Sequence, residues 1–492
     1  MTSIPQPDTV LPADAPEISD TVDVLVVGCG IAGACAAVEA ATAGARVLVL
    51  ERAGAPGGTT AMAGGHFYLG GGTAVQQATG QEDTAEAMAD YLRLMCPEPD
   101  EDKIRAMSGD SVEHFDWLEA LGFQFERSFF PGKAVIQPGT EGLMFTGNEK
   151  VWPYREQATP APRGHKVPVP GDTGGASMVT DLLVKKLGEL GVEIRCETGA
   201  RQLVVDADGR VAGVVWRSLD GREGTVRADS VILAAGGFVM NKEMVAEFTP
   251  GLSKKAYPLG TPYDDGLAIG LGMSAGGDTA FMTEAFVTAP VYPPSILLTG
   301  IIVNAEGKRF VAEDSYHSRT SRSVLDQPDA TAYLIVDSEH IEHPEIPLAP
   351  FIDGWETVEE MAEGLGLPVD ALRETLENYN RHAANGEDPE FHKHPDWLAA
   401  QDTGPWGAYD LRFGHAIYAG FTLGGLTCDV DGRVTRTDGS PVEGLYAAGA
   451  CASNIAQDAR GYSSGTQLAE GSYFGRRAGR HAAAARTSSS ST

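Results

Sequence analysis

The chain has 492 residues and a formal net charge of −31, long enough for two domains with substantial cores. Such charge would be repelled by nucleic acid or an anionic membrane surface, so neither is an expected partner, and the acidity reads as a solvated surface. No apolar run reaches membrane-spanning length, and Met1-Thr2-Ser3-Ile4-Pro5 has neither the basic start nor the apolar stretch of a signal peptide, so a cytoplasmic protein with no integral membrane association is expected.

Asp23-Val24-Leu25-Val26-Val27 predicts a buried strand running into Gly28-Cys29-Gly30-Ile31-Ala32-Gly33, and Val47-Leu48-Val49-Leu50 predicts a second strand ending on Glu51. Strand, glycine turn, helix, strand and acid follow in the order a dinucleotide site needs. Gly28 allows the tight turn, Gly30 lets backbone approach a pyrophosphate, and Gly33 lets the helix pack on the strand. The helix start offers N–H groups to phosphates, while Glu51 suits two ribose hydroxyls and would repel a 2′-phosphate. The six cysteines include no C-x-x-C pair; they read as reduced packing residues and give a metal site no support.

Five prolines between Pro153 and Pro170 predict an irregular crossing segment, followed by a helix over 176–190 and strands with turns over 192–205. Asp206-Ala207-Asp208-Gly209-Arg210 is a hairpin signal before a strand over 211–216. Val231-Ile232-Leu233-Ala234-Ala235-Gly236-Gly237 predicts a buried strand ending in small residues where backbone can touch a cofactor. Residues 282–414 carry more aromatics and prolines, with helices predicted over 358–363 and 369–380. Gly444-Leu445-Tyr446-Ala447-Ala448-Gly449-Ala450 repeats the strand-to-small-residue pattern, and 466–485 reads as a closing helix. An interrupted and then completed nucleotide fold explains this order: residues 1–281 begin it, 282–414 form an insert, and 415–492 complete it.

The glycine fingerprint with Glu51, Gly57-Gly58-Thr59-Thr60, Ala234-Ala235-Gly236-Gly237, Gly300-Ile301-Ile302-Val303-Asn304 with Lys308-Arg309-Phe310, and Gly444-Leu445-Tyr446-Ala447-Ala448-Gly449 together resemble the FAD-dependent fumarate reductase and 3-ketosteroid dehydrogenase superfamily, over almost the whole chain from Asp23 to Ala485. The resemblance implies an α/β fold: a glutathione-reductase-type, Rossmann-like FAD-binding domain with an inserted α+β catalytic domain, the flavin ring lying at their junction. It further implies FAD contacts from Gly28, Gly30, Ala32, Gly33, Glu51, Arg52, Gly58, Thr59, Thr60, Val204, Ala235, Gly236, Asp265, Ala450, Gly465, Thr466 and Leu468. Nothing around His66 supports covalent attachment, so noncovalent FAD is expected.

Departures from the family pattern choose the branch. Where fumarate reductases carry a proton-donating arginine, this chain reads Asp314-Ser315-Tyr316-His317. Residues 286–298 are apolar instead of carrying cations for a dicarboxylate, so Phe286, Val291, Tyr292, Ile296 and Leu298 are expected to line a pocket for a greasy substrate. The segment Gly461-Tyr462-Ser463-Ser464-Gly465-Thr466-Gln467 is most similar to the 3-ketosteroid Δ4-(5α)-dehydrogenases.

Placing a double bond beside a ketone needs a proton removed next to the carbonyl, a hydride removed from the next carbon, and a donor for the oxygen as it becomes enolate-like. The resemblance makes Tyr462 that donor, Ser464 the proton acceptor, and Tyr316 the group that supports Ser464 and passes the proton outward. Without the resemblance, Tyr462 reads as a packed aromatic and Ser464 as a helix N-cap. His317 is a further group that can titrate there. The expected activity is oxidation of 3-keto-5α-steroids to 4-ene-3-ketosteroids, with FAD reoxidised by an unidentified electron acceptor. Alternatives are a Δ1-dehydrogenase, an enoate reductase, or a flavin-binding sensor or assembly subunit without turnover.

Overall fold

The computed structural model describes residues 3–135, 137–171, 175–253, 256–288, 294–344 and 347–489. Its centre is an eight-stranded sheet that the chain enters three times. Strand Ile18–Val27 lies in the middle, parallel to Val47–Leu50 on one side and to Glu223–Leu233 on the other. The far flank of Glu223–Leu233 is shared: its first half pairs with Val211–Ser218, and its end pairs in parallel with Pro441–Ala447. Apolar runs with both faces covered are what parallel strands of this kind require.

Helix Ile31–Thr42 covers one face and packs along the closing helix Thr466–Ser489. The two approach closely because the closing helix presents Gly471, Gly475 and Gly479 at four-residue spacing, and a β-carbon at Gly475 or Gly479 would overlap the Ala32 or Ala36 carbonyl. A second layer is a four-stranded antiparallel sheet of Ile301–Asn304, Ala332–Asp337, Trp406–Asp410 and Phe351–Trp355. Helices Val358–Leu365 and Val369–Ala383 bury Met361, Leu372 and Leu376 in its core. No helix among the described residues is long and apolar enough to cross a membrane.

The proline-rich crossing is more ordered than expected. It contains a short helix, Tyr154–Gln157, and strand Gly164–Lys166, which pairs with His66–Tyr68 and Leu143–Met144. The register with those two strands, not local propensity, makes Gly164–Lys166 a strand. The expected hairpin is present, between Thr198–Val205 and Val211–Ser218.

Candidate active site

A cavity of about 770 Å³ opens where the ends of the central parallel strands meet the closing helix. Its wall has two chemically distinct parts. The first comprises Gly28, Gly30, Ala32, Glu51, Arg52, Gly58, Thr59, Thr60, Ala235, Gly236, Asp265 and Ala450. Helix Ile31–Thr42 begins here with Gly30 as its N-cap and no acidic residue in its first turn, and its Ile31 N–H donates to Thr60 Oγ1 at 3.0 Å. Each Glu51 oxygen accepts one backbone N–H, from Cys29 at 2.8 Å and from Ala53 at 2.7 Å, and Glu51 lines the cavity. Arg52 pairs with Asp265 at 2.6 Å. Thr59 donates to Asp264, whose carboxyl burial pushes above its ordinary range against the pull of that bond. A helix start free of acidic side chains, a glycine turn and an acid in the wall fit the diphosphate and ribose of a dinucleotide.

The second part is aromatic. Phe286 stacks on Phe421 with ring centroids 4.7 Å apart and tilts against Tyr462 at 4.6 Å. Tyr462 is buried, and its burial raises the phenol well above its ordinary value, so it is a neutral donor. Ser464 stands beside it, and its Oγ lies 2.7 Å from the Tyr316 hydroxyl. Segment 461–465 reaches this position because Gly465 takes φ +95° where strand His66–Tyr68 passes it; a β-carbon there would lie 2.8 Å from the Tyr68 nitrogen. Among the described wall residues Arg52 is the one arginine or lysine, and it is already paired.

Not every expected residue meets the cavity. Gly33 lies outside the wall and packs the helix on the strand, and Thr466 donates to the Ser463 carbonyl at 2.6 Å. Val204 is a correction: it is buried at its pairing with Gly213, and the wall takes Thr198, Gly199 and Ala200 from the start of the same strand. Ile296 and Leu298 lie outside the described wall. They sit on the 3₁₀ turn Ser295–Thr299, which buries Leu298 in the main core while Ile296 stays partly exposed. Val291 and Tyr292 lie outside the described residues. His317 is held neutral by burial, then by the nearby Lys133 charge, its value falling to about 3.

Sequence reasoning missed Leu259 and Phe421, which are ordinary core residues by local pattern; His66, weighed only for covalent attachment, lines the wall and bonds Gln137. It also missed a buried charge cluster behind Tyr316. Arg309 grips Glu313 at 2.8 Å and Asp388 at 2.9 Å, and Lys393 lies 3.4 Å from Glu313.

Residues 23–466 match a family described as "FAD binding domain". The chain belongs to this family, within the fumarate reductase and 3-ketosteroid dehydrogenase superfamily, and is an FAD-dependent oxidoreductase. It is 39% identical to the 3-ketosteroid-Δ4-(5α)-dehydrogenase of Rhodococcus jostii RHA1, solved in complex with 4-androstene-3,17-dione. The two structures agree with a TM-score of 0.91 over 97% of this chain and 99% of that one. The 3-oxo-5-alpha-steroid 4-dehydrogenase of Comamonas testosteroni is 29% identical over 510 residues, 89% of this chain and 94% of that protein. Urocanate reductase of Eggerthella lenta is 28% identical over 503 residues, 96% and 76% of the two chains.

Proposed function

We propose that the chain oxidises 3-keto-5α-steroids to 4-ene-3-ketosteroids. The observation that carries this reading is the 2.7 Å hydrogen bond between Tyr316 and Ser464, set beside the buried Tyr462 phenol in an aromatic wall. The two steroid dehydrogenases of similar sequence support it.

Tyr462 donates to the ketone oxygen as that oxygen gains enolate character, and as a neutral phenol it does so without burying a charge. Ser464 Oγ takes the proton from carbon 4 as its own proton passes to the Tyr316 oxygen, and the Tyr316 proton leaves toward solvent. A neutral relay suits these surroundings, because His317 beside it is uncharged near pH 7. Bound FAD supplies the acceptor for the hydride that leaves carbon 5. The first part of the cavity wall, with Gly465 and Leu468, holds the noncovalent cofactor. Residues 1–281 and 415–492 form its domain, and 282–414 the insert that brings Tyr316. A dicarboxylate substrate is disfavoured, since Arg52, the wall's cation, is committed to Asp265.

Incubation with a 3-keto-5α-steroid and an artificial electron acceptor, followed by product analysis, tests this reading. A 4-ene-3-ketone is expected. A 1-ene product, or turnover on fumarate comparable with that on the steroid, overturns it.

A further inference from the structure

We propose that Asn148 is a positioning residue that sets the Tyr316–Ser464 hydrogen bond by tying both segments that carry it to one strap of chain. The inference rests on the steroid-oxidising reading for its kinetic consequence, and on geometry alone for the tie. Tyr316 and Ser464 are 148 residues apart and arrive on unrelated elements, one before helix His317–Leu325 and one before the closing helix. A hydrogen bond of 2.7 Å between them needs both backbones to be fixed against a common reference.

Segment 146–148 provides that reference. The Ser464 N–H donates to the Thr146 carbonyl at 2.9 Å. Asn148, fully buried, works in both directions: its Oδ1 accepts the Tyr316 N–H at 2.8 Å, and its Nδ2 donates to the Arg460 carbonyl at 3.2 Å. Its backbone N–H donates to the Tyr91 hydroxyl at 2.8 Å, which lies 3.2 Å from Ser463 Oγ. Gly147 permits the approach, since a β-carbon there would crowd Tyr91 and Ser463. Glu149 anchors the strap from below, accepting from the Tyr68 hydroxyl at 3.0 Å and from the Gly147 N–H at 2.9 Å.

The chemistry at position 148 is specific. The amide carries an acceptor and a donor on one short stem, one for each segment. Aspartate keeps the acceptor, loses the donor and sets a charge against the Arg460 carbonyl, whereas leucine loses both and leaves the Tyr316 N–H buried without its partner. The Asn148 side-chain oxygen, by accepting the Tyr316 N–H at the start of helix His317–Leu325, is a fixed point for that backbone turn.

The test compares wild-type holoenzyme with Asn148→Asp and Asn148→Leu, each also in a Tyr316→Phe background. Hydrogen exchange, which needs no substrate, is expected to show lost protection in peptides covering 314–320 and 459–466 with the rest of the chain unchanged. At saturating 3-keto-5α-steroid, anaerobic flavin reduction is expected to slow by about 10- to 100-fold, with FAD content and steroid affinity held within about twofold. In the Tyr316→Phe background the same substitutions are expected to change the rate by less than about twofold, because the pair they position is already broken. Unchanged exchange at both segments overturns the tie. An equal rate loss in both backgrounds, or loss spread over affinity and the whole exchange profile, reduces Asn148 to a structural residue and overturns the positioning role. If wild-type flavin is not reduced by any ketosteroid, the substrate reading fails, and the exchange result alone decides the tie.

Discussion

At the scale of single residues, the site is a set of neutral oxygens in apolar surroundings. In the proposed mechanism, Tyr462→Phe removes one hydrogen bond to a charge that exists mainly in the transition state, and loss of such a donor costs about 10² to 10³ in rate. Steady-state kinetics on a 3-keto-5α-steroid should therefore show kcat falling far more than steroid affinity; an equal loss in both would mean the phenol only packs. These residues were legible in the chain because Gly461-Tyr462-Ser463-Ser464-Gly465 is a compact segment with a recognisable pattern, and Tyr316 stands where the family's arginine is missing. Asn148, Phe421 and Leu259 were not legible. Their roles come from contacts with residues distant in sequence, as with Asn148 and Tyr316, 168 positions apart, and no local spacing encodes such a meeting. The apolar run 286–298 was legible only in part: Phe286 lines the cavity and Leu298 does not. Hydrophobicity marks a residue as buried without saying whether it faces a ligand or the core, and Leu298 went to the core.

Among the elements, the closing helix Thr466–Ser489 does the most positioning. It carries the glycines that seat it on Ile31–Thr42, and Leu468 on the cavity side. Away from the cavity it buries Glu470, which accepts the Ala456 N–H at 2.9 Å. Burial pushes this carboxyl up to about 8, partly offset by the Ala456 bond and the Lys103 charge. The folded chain thus keeps a proton that the unfolded chain releases near its ordinary value of 4.5. Stability from this group is fully present below about pH 4.5 and falls as pH rises toward about 8, by up to about 1.4 kcal/mol per pH unit. Urea denaturation at several pH values should show Glu470→Gln losing this slope, so that the variant gains on the wild type as pH rises. A difference independent of pH would mean that Glu470 is already ionised in the fold. The helix was readable from its apolar spacing, and so were the fingerprint strands. What four-residue glycine spacing would seat against was not, because the partner helix lies more than 400 residues earlier.

For the molecule as a whole, the buried cluster of Arg309, Glu313, Asp388 and Lys393 braces the segment leading to Tyr316. Arg309→Leu leaves Glu313 and Asp388 buried without their main partner and should cost about 3–5 kcal/mol in chemical denaturation. A loss below 1 kcal/mol would show that Lys393 and solvent replace it. The Asp388 carboxyl, which burial would raise, is drawn down to about 2 by Arg309, so its contribution is present above about pH 3.8 and lost as pH falls through about 2. The sequence pattern Lys308-Arg309-Phe310 marked the family without revealing this cluster, since Asp388 and Lys393 join it from the segment that follows helix Val369–Ala383. The proposed reaction requires that this fold join an FAD site to a tyrosine–serine proton relay for a greasy ketone. It is tested most directly by mixing oxidised holoenzyme anaerobically with a 3-keto-5α-steroid and following the flavin absorbance, in wild type and in Ser464→Ala. Rapid bleaching is expected in the wild type, and the variant is expected to retain FAD, bind the steroid and stay yellow. Bleaching at near wild-type rate in Ser464→Ala, or a wild-type flavin that no ketosteroid reduces, would contradict it.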